Sequence, residues 1–253
     1  MSNLRIIPRI DIKNDKLIKT IRLEGVKPIG DPKKFAKKYY DDGADEIFIN
    51  DAVASLYNRN SLFDIIKEIA KEVFVPITVA GGIRSLKDVE KILKSGADKV
   101  ALNTQLHETP KLINEIAKNF GSQCMVLQID AKRIDQNKWE PYTNGGRDRT
   151  YKDLFKWVQE AQDRGAGEIF LTAIDHEGTK CGAAIELIKK IKKYIKIPII
   201  ISGGIGNINH VTTLAKLNIC DGIALSYLLH IENFSIKKNK EILKKNNVNV
   251  SIR

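Results

Sequence analysis

VPITVAGGI at Val75–Ile83 and IPIIISGGI at Ile197–Ile205 are two versions of one pattern, set 122 positions apart. GADEIF at Gly43–Phe48 recurs as GAGEIF at Gly165–Phe170 with the same offset. PRIDIK at Pro8–Lys13 and DKVALN at Asp98–Asn103 recur nearly in register as LQIDAK at Leu127–Lys132 and DGIALS at Asp221–Ser226. Ordered matches at nearly one offset make the chain two copies of a unit of about 120 residues.

Each copy holds short, near-continuous apolar runs separated by amphipathic stretches. In the first they lie near Ile6–Ile10, Glu46–Asn50, Ile77–Val79 and Lys99–Leu102. In the second they lie near Met125–Ile129, Ile169–Thr172, Ile199–Ser202 and Gly222–Leu225. Between them run helical patterns such as PKKFAKKYYDDG and SLKDVEKILKSG, the latter opening on Ser85 as N-cap and stopping at Gly96. Apolar strands alternating with helices predict a parallel sheet covered by helices. Eight such units with internal twofold repetition close most naturally into a (β/α)8 TIM barrel, a single domain over residues 1–253 with half-barrels at approximately 1–122 and 123–253. An open doubly wound sheet is the alternative, and it would not need the repeat.

The 253 residues suit one barrel, which typically takes about 250, and would also fit two small domains. The N-terminal MSNLRIIPRIDIKN is broken by charge and no run approaches the roughly 20 apolar residues of a membrane span, so a cytoplasmic protein without membrane association is expected. Cys124, Cys181 and Cys220 form no ligand spacing, and His107, His176, His210 and His230 do not cluster, so neither a metal nor another cofactor is expected. The net charge of +11 comes largely from lysines along helical faces, with no nucleic-acid-binding motif beside it. It suits anionic small substrates or an acidic partner surface, not nucleic acid. IKKNKEILKKN after Phe234 reads as a terminal helix without catalytic role.

Barrel chemistry sits at the C-terminal ends of the strands. Asp11 and Asp130 are expected to end the first and fifth strands, which are diametrically opposed, and each is followed two residues on by a lysine, Lys13 and Lys132. Facing carboxylates suit a general acid and a general base acting on opposite sides of one substrate. A lone aspartate there is more often a cap; a repeat-related pair is not so easily explained. AGGIRS at Ala80–Ser85 and SGGIGN at Ser202–Asn207 put paired glycines before helices, where backbone N–H groups can meet an anion. Asn103, Thr104 and Ser226 end neighbouring strands and can complete two cups. Two phosphates with acid–base chemistry between them describe a bisphosphorylated, roughly linear sugar derivative.

The words IIPRIDIK, GDP, GADE, VAGGIRS, GADKVALN, FGSQCMV, IDAKR, YTNGGR, GAGEI, DHEGTKCG and SGGIGN, in this order over nearly the whole chain, resemble the cyclase subunits of imidazole glycerol phosphate synthase, a histidine-biosynthesis enzyme. The resemblance implies a phosphoribulosyl-formimino-AICAR phosphate substrate. Ammonia attacks it, and cyclisation with fragmentation yields imidazole glycerol phosphate and AICAR phosphate. It makes Asp11 and Asp130 the acid–base pair and puts Gly82, Asn103, Thr104, Gly178, Gly204 and Ser226 on or beside phosphate-binding positions. It further implies a glutaminase partner docked on the N-terminal face, with Arg5, Glu46, Lys99 and Glu168 as a charged gate for ammonia there. Such alternating charges also simply pair with one another.

The chain departs from that pattern in places. Arg9 stands where the family usually has Cys, Val53 where it has Thr, and Ala80 replaces the first glycine of three. Leu56–Asn60 lacks a usual Gly-Arg, and Glu177 takes the place of an Asp. By parity with Asp11, Arg9 points into the barrel, where a cation either depresses the Asp11 pKa and favours a base role or fills part of the pocket. Two other readings stand beside the cyclase. One is the related sugar-phosphate isomerase with two opposed aspartates, which the gate residues and YTNGGR oppose. The other is a paralogue that relays ammonia to another enzyme, as in amidino-sugar synthesis, which retention of both aspartates opposes.

Overall fold

Successive apolar runs in this chain pair side by side and return to the first, so the barrel round they form has no open edge. The computed structural model describes residues 3–52 and 62–252. Its strands are β1 (Arg5–Lys13), β2 (Lys16–Ile21), β3 (Glu24–Gly30), β4 (Ile47–Asp51), β5 (Ile77–Ala80) and β6 (Lys99–Leu102). They continue as β7 (Met125–Asp135), β8 (Lys138–Thr143), β9 (Asp148–Arg149), β10 (Glu168–Ala173), β11 (Ile199–Ser202) and β12 (Gly222–Leu225). The parallel round is β1-β4-β5-β6-β7-β10-β11-β12, closed by the pairing of β12 with β1. This is the (β/α)8 barrel. Val53 and Leu56–Asn60, two places where departures were noted, lie outside the described residues.

Helices follow the barrel strands in turn: α1 (Pro32–Asp41), α2 (Leu62–Ala70), α3 (Leu86–Lys94), α4 (Lys111–Phe120), α5 (Leu154–Asp163), α6 (Ile185–Ile191), α7 (Ile208–Leu217) and α8 (Ile236–Lys245). Period-2 alternation divides each strand between two faces. Outward residues such as Ile6, Ile49, Val79, Leu127 and Ile201 pack under the helices. Inward residues form a separate cluster, one from each barrel strand: Ile7, Phe48, Ala80, Ala101, Val126, Phe170, Ile200 and Ala224. Phe48 and Phe170 stack there with ring centres 3.7 Å apart.

The sequence repeat returns as local geometry. Asp31 and Asp153, 122 positions apart, cap α1 and α5 through their side chains with nearly the same backbone angles, −82°, 118° and −71°, 125°. Ser85 and Asn207, also 122 apart, cap α3 and α7 at −148°, 164° and −155°, 171°. Ser85→Ala and Asn207→Ala should each cost about 1 kcal/mol in urea unfolding, because each removes the acceptor for one helix N–H.

One expectation needs correcting. Asp11 and Asp130 do not end their strands: β1 runs on to Lys13 and β7 to Asp135, each turning back as an antiparallel hairpin arm. Asp11 pairs across to Ile18 and Asp130 to Tyr142. The turns pass through Asn14 and Asn137, both at positive φ (57° and 62°), which asparagine tolerates better than most residues. Lys13 and Lys132 therefore ride on hairpin arms, Lys132 exposed with its ammonium 5.4 Å from the Tyr142 ring centre.

Candidate functional site

The mouth of the barrel is built from inward positions one layer above Phe48 and Phe170. Strands β1 and β7 stand four places apart in the round of eight, so Asp11 and Asp130 approach from opposite sides. They are 4% and 3% exposed, and both line one cavity of ≈ 390 Å³ together with Gly82, Asn103 and Thr104.

The two carboxylates have different surroundings. Asp11 is held by the Arg9 guanidinium, with Nε 2.9 Å from Oδ2, and accepts from Asn50 Nδ2 at 2.7 Å. Asp130 accepts from Asn103 Nδ2 at 3.1 Å, and its Oδ1 has no hydrogen-bond partner among the described residues. Burial pushes the Asp130 carboxyl up to about 6. Arg9 and the Asn103 bond pull against that rise, while the negative charges of Asp11 and Glu177 add to it.

The phosphate-site candidates separate into two groups. Gly82 (φ +69°) and Thr104 lie on the large cavity, where Thr104 Oγ1 accepts from the Asn144 N–H at 3.0 Å and keeps its own O–H to donate. Asn103 shares that wall, yet its amide donates to Asp130 and to the Tyr142 carbonyl, so its N–H groups are turned toward the carboxylate. Gly178, Gly204 and Ser226 line a second space of only ≈ 20 Å³. There the Ser226 hydroxyl is buried without a partner among the described residues. Gly204 sits at φ +80° and a Cβ on it would come within 2.0 Å of the Gly182 carbonyl oxygen, so glycine is required. The second space is small because the β2–β3 hairpin lies across it. Lys19 Nζ reaches Glu177 Oε1 at 2.5 Å, and the Arg22 N–H donates to the Glu177 carbonyl at 2.9 Å.

At the opposite end of the strands the expected charged residues meet in a closed ring. Arg5 Nη1 contacts Glu46 at 2.7 Å and Arg5 Nη2 contacts Glu168. Lys99 Nζ contacts Glu46 at 3.0 Å and Glu168 at 2.9 Å. Thr78 adds a hydroxyl to Glu46 at 2.6 Å. The ring crosses the barrel floor below the apolar layer.

Residues that the sequence reading did not place here include Lys19, Asn50, Thr172 and Ser202. Asn50 and Thr172 end repeat-matched runs and Ser202 opens SGGIGN, but their matches are not alike in side chain, and Lys19 meets its partner across 158 positions of chain. No group of His, Cys, Asp or Glu among the described residues is arranged to hold a metal ion, and no described helix is long and apolar enough to cross a membrane.

Comparison with known proteins agrees with this architecture. The family described as Histidine biosynthesis protein matches residues 5–235. The imidazole glycerol phosphate synthase subunit HisF of Legionella pneumophila is 50% identical over 208 residues, 82% of this chain and 98% of that protein. The subunit HisF of Campylobacter concisus is 43% identical over 248 residues, 98% of each chain. That of Flavobacterium psychrophilum is 40% identical over 252 residues, 100% of each. Spanning its relatives nearly end to end, with the two aspartates on opposed strands of a closed barrel, the chain belongs to the histidine biosynthesis protein family alongside the HisF subunits of imidazole glycerol phosphate synthase.

Proposed function

We propose that this protein is the cyclase subunit of an imidazole glycerol phosphate synthase, converting the phosphoribulosyl-formimino-AICAR phosphate intermediate and ammonia to imidazole glycerol phosphate and AICAR phosphate. The observation that carries the reading is the pair of buried aspartates in one cavity with unlike surroundings: Asp11 is ion-paired to Arg9, while Asp130 has no cation in contact among the described residues and burial raises its carboxyl to about 6. Ammonia adds as a neutral nucleophile, so protons must leave its nitrogen after attack; the carbonyl oxygen that it replaces on cyclisation leaves as water, and the departing aminoimidazole nitrogen must gain a proton. Asp11 serves as the base and Asp130 as the acid, each matched to its task. Gly82 and Thr104 take one phosphate and Gly178, Gly204 and Ser226 take the other, with Asn103 orienting Asp130. Ammonia comes from a glutaminase subunit seated on the N-terminal face, where Arg5, Glu46, Lys99 and Glu168 form the gate. The recurrence of caps 122 positions apart supports half-barrels dividing near residue 122.

Incubating the protein with the intermediate and an ammonium salt should yield both products without any glutaminase. Absence of cyclisation with ammonium, and with glutamine plus a glutaminase subunit, sinks the reading. Relay of ammonia alone does not explain the two buried carboxylates in one cavity, and sugar-phosphate isomerisation does not explain the charged ring beneath it.

A further inference from the structure

On β1 the inward position between Ile7 and Asp11 is Arg9, 2% exposed. Its Nε spans the Asp11 carboxylate, 3.1 Å from Oδ1 and 2.9 Å from Oδ2. Nη1 donates to Thr172 Oγ1 at 3.0 Å on β10 and to Ser202 Oγ at 3.1 Å on β11. The guanidinium carbon lies 5.8 Å from the centre of the Phe170 ring, which supports it from below. The backbone is held as well. The Arg9 carbonyl accepts from His230 Nε2 at 2.8 Å, and His230 Nδ1 meets the Tyr39 hydroxyl at 2.5 Å. A carbonyl can only accept, so Nε2 carries the imidazole hydrogen and Nδ1 accepts from Tyr39. Burial lowers His230 to about 4, which keeps it neutral in this arrangement. Arg9 is a strut fixed at both ends, running from β1 across the lumen.

The titratable groups around Asp11 come from several elements. Arg9 is on its own strand, Asp130 on β7, Lys19 on β2, Glu177 in the segment after β10, and His230 before α8. Arg9 is the cation in direct contact with Asp11, while its influence on Asp130 acts through space. Two carboxylates facing one cavity disfavour each other's charge, with neither holding a settled role. A cation bonded to one of them breaks that tie. Arginine can do so while bonding two hydroxyls, because its planar fork offers donors in several directions; lysine offers only a point charge.

We propose that Arg9 is a positioning residue: pinned by Thr172 and Ser202, it fixes Asp11 as the standing carboxylate base and leaves the mobile proton to Asp130. The inference rests on the acid–base reading given under the proposed function.

The test follows the Asp11 carboxyl by carbon-13 NMR titration of the substrate-free protein in wild type, Arg9→Met and Arg9→Lys. Alongside it, kcat/KM is measured against pH with the intermediate at a fixed concentration of un-ionised ammonia. Arg9→Met should move the Asp11 titration upward by about 1–3 units, and the acid limb of kcat/KM with it. Its kcat should fall more than its KM rises. Arg9→Lys should recover most of the titration and only part of kcat, since it restores charge without the pins. An unmoved Asp11 titration in folded Arg9→Met overturns the proposal. Should Arg9→Met fail to fold, the Thr172→Val/Ser202→Ala pair removes the pins and keeps the ion pair. It should lower kcat with little change in the Asp11 titration, and an unchanged kcat overturns the proposal. Failure of the wild type to cyclise the intermediate would count against the enzyme assignment alone, because the titration reads Arg9 without substrate.

Discussion

Asp130→Asn should lower ammonia-dependent cyclisation by about 10²–10⁴-fold, the usual worth of a positioned proton donor, and should leave the fold at least as stable at neutral pH. The stability half follows from linkage. Asp130 in the folded protein holds its proton up to about 6, whereas an unfolded aspartate releases it near 3.9. Between those values the folded state binds more protons than the unfolded state, so stability falls as pH rises through that window and the cost is fully present above about 6. The neutral amide of the Asp130→Asn variant removes the cost, and its carbonyl oxygen can still accept from Asn103. Asp11→Asn should abolish turnover to a similar extent with the opposite effect on stability. It strips the buried Arg9 of its counter-charge, and removing one partner of a buried pair costs about 3–5 kcal/mol. Chemical denaturation of both variants at pH 7 beside the cyclisation assay checks the contrast. Equal destabilisation by the two substitutions would mean that burial does not penalise the Asp130 carboxylate, and the division into base and acid would fall.

The same contrast shows which parts of the site were readable from residues. The eight barrel strands announce themselves as apolar runs at a repeated spacing, and the paired caps Ser85 and Asn207 follow from N-cap chemistry. The inward direction of Arg9 follows from parity with Asp11, and its contacts show that it both clamps Asp11 and fills the lumen. The hairpins were not readable in the same way. KLIKTI and KWEPYT mix charge with apolar residues, and Pro28 and Pro141 lie in β3 and β8, where sequence patterns suggest loops. Asn14 and Asn137 were the available turn signals. Missing those hairpins hid the Lys19–Glu177 pair that narrows the second cup, and the Tyr142 carbonyl that turns Asn103 toward Asp130. The two cups are alike in sequence and unlike in size because the hairpins of the two halves, equivalent in place, make different contacts: Lys19 of β2 reaches Glu177 across one cup, while β8 offers Asn103 the Tyr142 carbonyl beside the other.

Glu46→Ala should be the most destabilising single change in the floor of the barrel, by about 3–5 kcal/mol in chemical denaturation. Glu46 is 1% exposed and answers three donors: Arg5, Lys99 and the Thr78 hydroxyl. Without it two cations share Glu168 alone, in a layer closed above by Phe48 and Phe170, and the Thr78 hydroxyl loses its acceptor. Lys99→Ala removes a side chain that is 19% exposed, and Arg5 still bridges Glu46 and Glu168, so its cost in stability should be smaller. Its cost in function should be larger under the proposed gate. Two of the ring's four ion pairs, both made by Arg5, would persist while the side that Lys99 closed opens to water. Ammonia released by a docked glutaminase would then escape before reaching Asp11, whereas ammonium supplied from solution would enter the mouth as before. The ratio of glutamine-dependent to ammonium-dependent turnover should therefore fall in Lys99→Ala and hold in a surface control such as Lys94→Ala, whose lysine pairs with Glu90 on the outside of α3. If the ratio is the same in both variants, the ring is a structural seal and ammonia reaches the cavity by another route.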